Sequence, residues 1–251
     1  MKFYIAAFTL GLLAASNASA EMVTFDYTAK IDGALHFTNH GTYVDSLQSI
    51  SFNNTTIEVG YTMRGSFTID LDTPASLHLP YQSPNSVYTE YANSTNGATR
   101  NLATIKVDQS GYGFTAKPQA GGMSIEITDG AVGRADSFVF NNYNLDPNTG
   151  RSESLTFALW QANGSLLTST RLPSSLDLSR ADMATLVYSY RGPNSTDVFR
   201  TNAVLTSLSV RTASPVPEPS SYAMMLLGVF MICAVNLHKT KSNSRVQAIA
   251  G

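Results

Sequence analysis

Between residues 22 and 213 apolar and polar side chains alternate with a period of two, the repeat that turns one face of a β-strand inward. Val23, Phe25, Tyr27, Ala29 and Ile31 alternate with Thr24, Asp26, Thr28 and Lys30, and Ile125 and Ile127 with Ser124, Glu126 and Thr128. Leu155, Phe157 and Leu159 form a third such face, and Val204, Leu208 and Val210, in phase with Thr206, a fourth. Residues 56–61, 65–71, 102–107, 111–116, 135–141 and 184–191 are rich in Val, Ile, Thr, Phe and Tyr and read as further strands. Turn signals separate them, among them Asp72-Thr73-Pro74, Asn96-Gly97, Asp129-Gly130, Asp146-Pro147-Asn148 and Gly192-Pro193-Asn194. About ten short strands at this spacing predict an all-β fold, an antiparallel β-sandwich or jelly roll over residues 21–214. Ser174 to Met183, opened by Pro173, reads as a short helical connector.

Two stretches break the alternation by being apolar on every side. Phe3 to Leu13 follows Lys2 and precedes Ala18-Ser19-Ala20, the three-part pattern of a signal peptide over residues 1–20, with cleavage expected between Ala20 and Glu21. Tyr222 to Leu237 carries no charge and is followed by His238, Lys239, Lys241 and Arg245. Its 16 residues stand at the lower edge of the ~17–25 that a membrane helix takes. Lys239, Lys241 and Arg245 would hold the end of the chain in the cytoplasm, leaving the body outside. Just before this segment, Pro215, Pro217 and Pro219 exclude a helix and impose a stiff, extended backbone that a processing enzyme can reach.

Pro217-Glu218-Pro219, a short hydrophobic helix at 222–237 and a basic cluster before the tail end 246–251 together resemble the PEP-CTERM sorting signal of Gram-negative bacteria. The basic cluster is looser than the Arg-rich run usual in that family. The resemblance implies that residues 215–245 are a sorting region recognised by exosortase through Pro217, Glu218 and Pro219. It also implies an inner-membrane-anchored precursor that becomes a protein of the cell surface or extracellular matrix, linked with exopolysaccharide and biofilm. Arg64 to Asp70, with Leu172-Pro173 further on, is diffusely similar to ectodomains that accompany this tail.

Composition changes the picture in two ways. Charged residues are 14% of the chain, about half the usual share, and 29 Ser, 26 Thr and 17 Asn take their place. With a net charge of −2 there is no basic footprint for nucleic acid. The one cysteine, Cys233, lies in the hydrophobic tail segment, so neither an intrachain disulfide nor a Cys-rich zinc site can form.

Candidate chemistry is sparse. The body has no nucleophile elbow, Ser-x-x-Lys or His-Glu-x-x-His, and no cofactor is expected. His36 and His40 have the spacing of helical metal ligands but stand at a strand end entering a glycine turn. Asp70 and Asp72 read as a strand end and a turn opener, too few ligands for calcium. Tyr81, Tyr88 and Tyr91, in a Ser/Asn-rich stretch between strands, and Trp160, before Asn163-Gly164, are candidate glycan contacts: aromatic faces stack on sugars and amides bond hydroxyls. The alternative is that the tyrosines brace a loop and Trp160 caps the core. The sequence thus predicts an exported, non-enzymatic envelope or exopolysaccharide-matrix protein. A lectin-like carbohydrate-binding module and a secreted hydrolase with two converging acids are the rival readings.

Overall fold

The computed structural model of the protein describes residues 21–38, 43–80, 86–92, 100–117, 122–130 and 134–211. The segments expected to be a signal peptide (1–20) and a sorting region (215–245), with Pro217, Glu218, Pro219, Lys239, Lys241 and Arg245, lie outside the described residues, as do Tyr81 and His40. Among the described residues no helix is long and apolar enough to cross a membrane.

The described chain is β throughout, apart from one 3-10 turn. A long strand β1 (Met22–Thr38) leads into β2 (Tyr43–Leu47), the hairpin β3 (Ser49–Phe52) and β4 (Thr55–Glu58), then β5 (Thr62–Asp70), β6 (Leu77–Pro80) and β7 (Ser86–Ala92). The second half holds β8 (Leu102–Val107), β9 (Gly113–Thr115), β10 (Met123–Gly130), β11 (Asp136–Leu145), β12 (Ser152–Gln161), β13 (Met183–Arg191) and β14 (Val198–Arg211). Every pairing is antiparallel. Twelve strands form one sheet in the order β6-β7-β10-β11-β12-β13-β14-β1-β5-β8-β9, with β2 added beside β1.

That sheet curls back on itself. Phe67 of β5 lies 4.5 Å from Phe157 of β12 and 5.1 Å from Phe140 of β11, although three strands separate β5 from β12 in the pairing order. The alternating inward residues predicted from sequence meet there: Phe25, Ala29, Ile31, Ile125, Ile127, Leu155, Phe157 and Leu159 are all buried. The aromatic centre keeps the centroid distances of offset and tilted ring pairs, each adding to the area it removes from water.

The fourth predicted face needs correction. Thr201, Ala203 and Leu205 of β14 point inward, while Val204 and Val210 are exposed and only Leu208 of the predicted set packs on the core. The cause is a register shift: Thr28 pairs with Ser207 but Ala29 with Leu205, so Thr206 is an extra residue on β14. A second shift leaves Asp32 extra on β1, after which Ala34 takes over the buried parity from Ile31. One extra residue moves every later side chain to the opposite face and bends the strand. The two bulges fall in the longest strand pair.

The predicted helical connector shrinks to a 3-10 turn at Leu178–Arg180, where Asp177 accepts from the Ser179 backbone N–H and hydroxyl. β2, β3, β6 and β7 were not expected. Residues 86–92, read from sequence as part of a loop, form a full strand along β10. Beyond the ladders, Asn144 at the end of β11 accepts from Lys117 N–H at 2.8 Å and donates to the Thr115 carbonyl at 3.0 Å, stitching the sheet edge after β9 to β11.

Candidate functional site in the outer sheet face

The strand assigned to residues 86–92 decides the fate of the predicted aromatic contacts. Alternation along β7 sends Tyr91 inward and Tyr88 outward. Tyr91 is buried and its hydroxyl donates to the Thr170 carbonyl at 2.7 Å, so it ties a loop to the core. Tyr88 stands on the outer face, and so does Trp160, which is 37% exposed. Cross-strand register joins them: Tyr88 pairs with Thr128, Thr128 with Ser137 and Ser137 with Trp160. Three strand steps separate the two rings, about 14 Å.

Next to this row the outer face sinks into a groove of about 470 Å³ spanning β7, β10, β11 and β12. Small side chains make its floor: Ala92, Ser124, Ser154 and Thr156 stand where larger outward residues would fill it. Register again assembles it, pairing Ala92 with Ser124, Ser124 with Asn141, Asn141 with Thr156 and Tyr143 with Ser154. Tyr143 and Glu90 line it as the larger groups. The Asn141 amide donates to the Ser124 hydroxyl at 3.2 Å and to Glu126 at 3.4 Å. Ser154 and Thr156 bring hydroxyls that take no hydrogen-bond partner among the described residues.

Electrostatics adds a second feature. Glu90 and Glu126 pair directly across β7 and β10 on this face, a like-charge juxtaposition that costs stability in a sheet. Between them and Tyr88 the phenol is pushed up to about 12, first by burial and then by the two carboxylates, so it stays a donor. Its hydroxyl lies 3.5 Å from Glu90.

Two other hollows differ in kind. In the cleft of about 250 Å³ around Lys117, Asp146, Arg151 and Glu153, the last three side chains already hold hydrogen bonds. Arg151 donates to Glu153 at 2.9 Å, and Asp146 accepts from the Thr149 hydroxyl and the Asn148 N–H, bonds that hold its carboxyl below its usual range. The hollow of about 300 Å³ at Leu166–Arg180 is built by one loop. The outer groove spans four strands, and its open surface is more apolar than that of either hollow.

The remaining candidates resolve simply. His36 stacks on Phe199 at 4.5 Å and faces Asp197 at 3.4 Å. Asp70 accepts from the Asp72 N–H, and its own carbonyl accepts from Thr73, which makes the pair a strand end and turn. Among the described residues no three His, Cys, Asp or Glu side chains stand close enough to hold a metal.

Sequence reasoning named Tyr88 and Trp160 on this face but missed the groove. Its residues come from four strands distant in sequence, and no spacing marks them. A usable signal exists: six of the nine outward positions of Ser124-Ile-Glu-Ile-Thr128, Ser137-Phe-Val-Phe-Asn141 and Ser154-Leu-Thr-Phe-Ala158 are Ser, Thr or Asn, opposite an apolar inward set. No family model, curated protein or solved structure matches the chain.

Proposed function

We propose that the protein is an exported, non-enzymatic protein of the cell envelope whose curled sheet, read as a β-sandwich, binds polysaccharide in the outer groove. The observation that carries the reading is the groove lining, a largely apolar surface with the Tyr143 ring that also bears Ser124, Asn141, Ser154, Thr156 and Glu90. Such groups exchange hydrogen bonds with sugar hydroxyls, and a tyrosine ring supplies the apolar face that a pyranose packs on. A body poor in charge and rich in Ser, Thr and Asn suits an extracellular matrix.

The test is titration of the full chain with a panel of oligosaccharides. We expect at least one to bind, with Tyr143→Ala and Thr156→Val each weakening it about fivefold to thirtyfold, the loss of a stacking or hydrogen-bonding contact. Flat titrations across the panel would remove the reading. One observation favours hydrolysis instead: Glu90 and Glu126 are directly paired across β7 and β10, and glycosidases work with two carboxylates. We expect no new reducing ends when bound oligomers are incubated with the protein, and their release in a Glu90-dependent manner would replace binding by hydrolysis.

For delivery, the signal peptide at residues 1–20 and the PEP-CTERM-like region at 215–245 support export and an inner-membrane-anchored precursor with exosortase as partner. Pro217, Glu218 and Pro219 would be read by that enzyme, with Lys239, Lys241 and Arg245 holding the tail inside. The mass of the mature protein should drop by the hydrophobic tail only in cells containing exosortase. A C-terminus still ending at Gly251 in both strains would exclude processing.

A further inference from the structure

The groove has a sign as well as a shape. Glu90 is the one charged side chain in its lining, and Glu126, directly opposite on β10, brings a second carboxylate beside it. No Lys, Arg or His lines the groove. On the same face Arg200 lies beyond β13, opposite Ser189, with its guanidinium over the Phe37 ring at 4.7 Å. Among the described residues it forms no ion pair with Glu90 or Glu126. The two carboxylates therefore repel each other across a strand pair, in a chain otherwise sparing of charge.

A ligand that brings positive charge relieves that repulsion, and one that brings negative charge deepens it. We infer that the groove selects a cationic amino-sugar oligomer, a hexosamine chain carrying free protonated amines, over N-acetylated, neutral and uronic-acid chains. This rests on the glycan-binding reading of the same groove. Hydroxyls of such a chain meet Ser154, Thr156 and Asn141, while an ammonium meets Glu90 and Glu126 at the β7 side. The lining spans three strand steps, about 14 Å, the extent of a short oligosaccharide and not of one ring.

The experiment is calorimetric titration of the full chain with hexamers of glucosamine, N-acetylglucosamine, glucose and glucuronate, below the pKa of the free amine. Glucosamine hexamer should bind about tenfold more tightly than the N-acetylated and neutral hexamers, the worth of one or two exposed charge pairs. Glucuronate hexamer should bind most weakly. The preference should shrink as salt rises, because exposed charges are screened. In Glu90→Gln/Glu126→Gln it should vanish, glucosamine hexamer falling to the affinity of its N-acetylated counterpart. That variant removes a repulsion and should melt no lower than the parent, which separates lost charge from lost fold. If no hexamer binds, the glycan reading itself fails. If glucose or N-acetylglucosamine hexamers bind as tightly as glucosamine hexamer, the groove binds glycan but the cationic selectivity is wrong. A preference that survives the double variant would place the ammonium elsewhere.

Discussion

Replacing Gly65 by Ala should cost about 3–5 kcal/mol of folding stability, the range of severe overpacking, although it adds a single methyl group. Gly65 sits in β5 between Tyr27 of β1 and Ile105 of β8. The Tyr27 phenol crosses over it and donates to the Thr104 carbonyl at 2.7 Å. A Cβ at position 65 would stand 1.9 Å from that carbonyl oxygen and 2.7 Å from the Tyr27 hydroxyl. Backbone oxygen cannot swing aside as a side chain tip can, so β8 must separate from β5 or the tyrosine must leave. Tyr27 is buried, with its ring 6.3 Å from Phe67 and 6.0 Å from Phe157, so neither escape is local. Gly65 matters for space and not for backbone freedom, unlike Gly60, whose φ of +91° favours glycine and which has nothing within 4 Å of its would-be Cβ.

Urea denaturation of Gly65→Ala against the parent measures this directly. Tyr27→Phe should cost only about 1–2 kcal/mol, since it leaves one carbonyl without its donor but keeps the ring. Combining Gly65→Ala with Tyr27→Ala should not restore stability, because the contact with Thr104 remains. A Gly65→Ala protein within 1 kcal/mol of the parent would mean that β5 and β8 can part without loss, and the reading of this crossing would be wrong.

How much of this was legible beforehand follows from the physics of each element. Strands with one buried face announce themselves, so β1, β5, β8, β10, β11, β12 and β13 stand where alternation put them. β6 is only four residues long and exposed at every one, so Leu77 and Leu79 mark no buried face, and β7 alternates Val87, Thr89 and Tyr91 with Ser86, Tyr88 and Glu90, polar residues on both sides. Hydrophobic pattern is weak where a strand is short or both its faces carry polar groups. The bulges at Thr206 and Asp32 are invisible for a related reason: they shift parity in mid-strand, and Val204, Leu205 and Leu208 are equally apolar whichever way they point. Asp136 shows a third kind of silence. It is fully buried and accepts from the Gly130 and Leu167 N–H groups at 2.8 Å, a tertiary role no local motif signals. The groove belongs with these, since cross-strand register alone gathers Glu90, Ser124, Asn141 and Thr156.

Above about pH 10 the protein should lose stability steeply, and buried tyrosines are the cause. Tyr27 and Tyr188 are both buried, and burial pushes each phenol well above its ordinary value. Tyr188 is further opposed by its surroundings. Its hydroxyl bonds that of Tyr112, which also bonds Glu153 at 3.0 Å, so a phenolate there would face an existing carboxylate. In the unfolded chain the same phenols release their protons near pH 10. Between that value and the folded ones, the folded state holds more protons than the unfolded state, so stability falls as pH rises. The stabilisation is complete below pH ~10 and is lost progressively above it, at about 1.4 kcal/mol per pH unit for each phenol. Tyr27 and Tyr188 together give about 2.7 kcal/mol per unit, enough within two units to remove most of a small domain's stability. Denaturation curves at successive pH values from about 8 to 12 should therefore be level at first and then fall at least that steeply, because burial pushes the Tyr88, Tyr91 and Tyr112 phenols up as well. Tyr188→Phe should be less stable at neutral pH, through the lost bond to Tyr112, yet its alkaline slope should be shallower by one proton. Tyr27→Phe should flatten it by the same amount, because that phenol too has no proton left to lose. An alkaline limb of equal slope in parent and both variants would assign the protons to other groups and overturn the account.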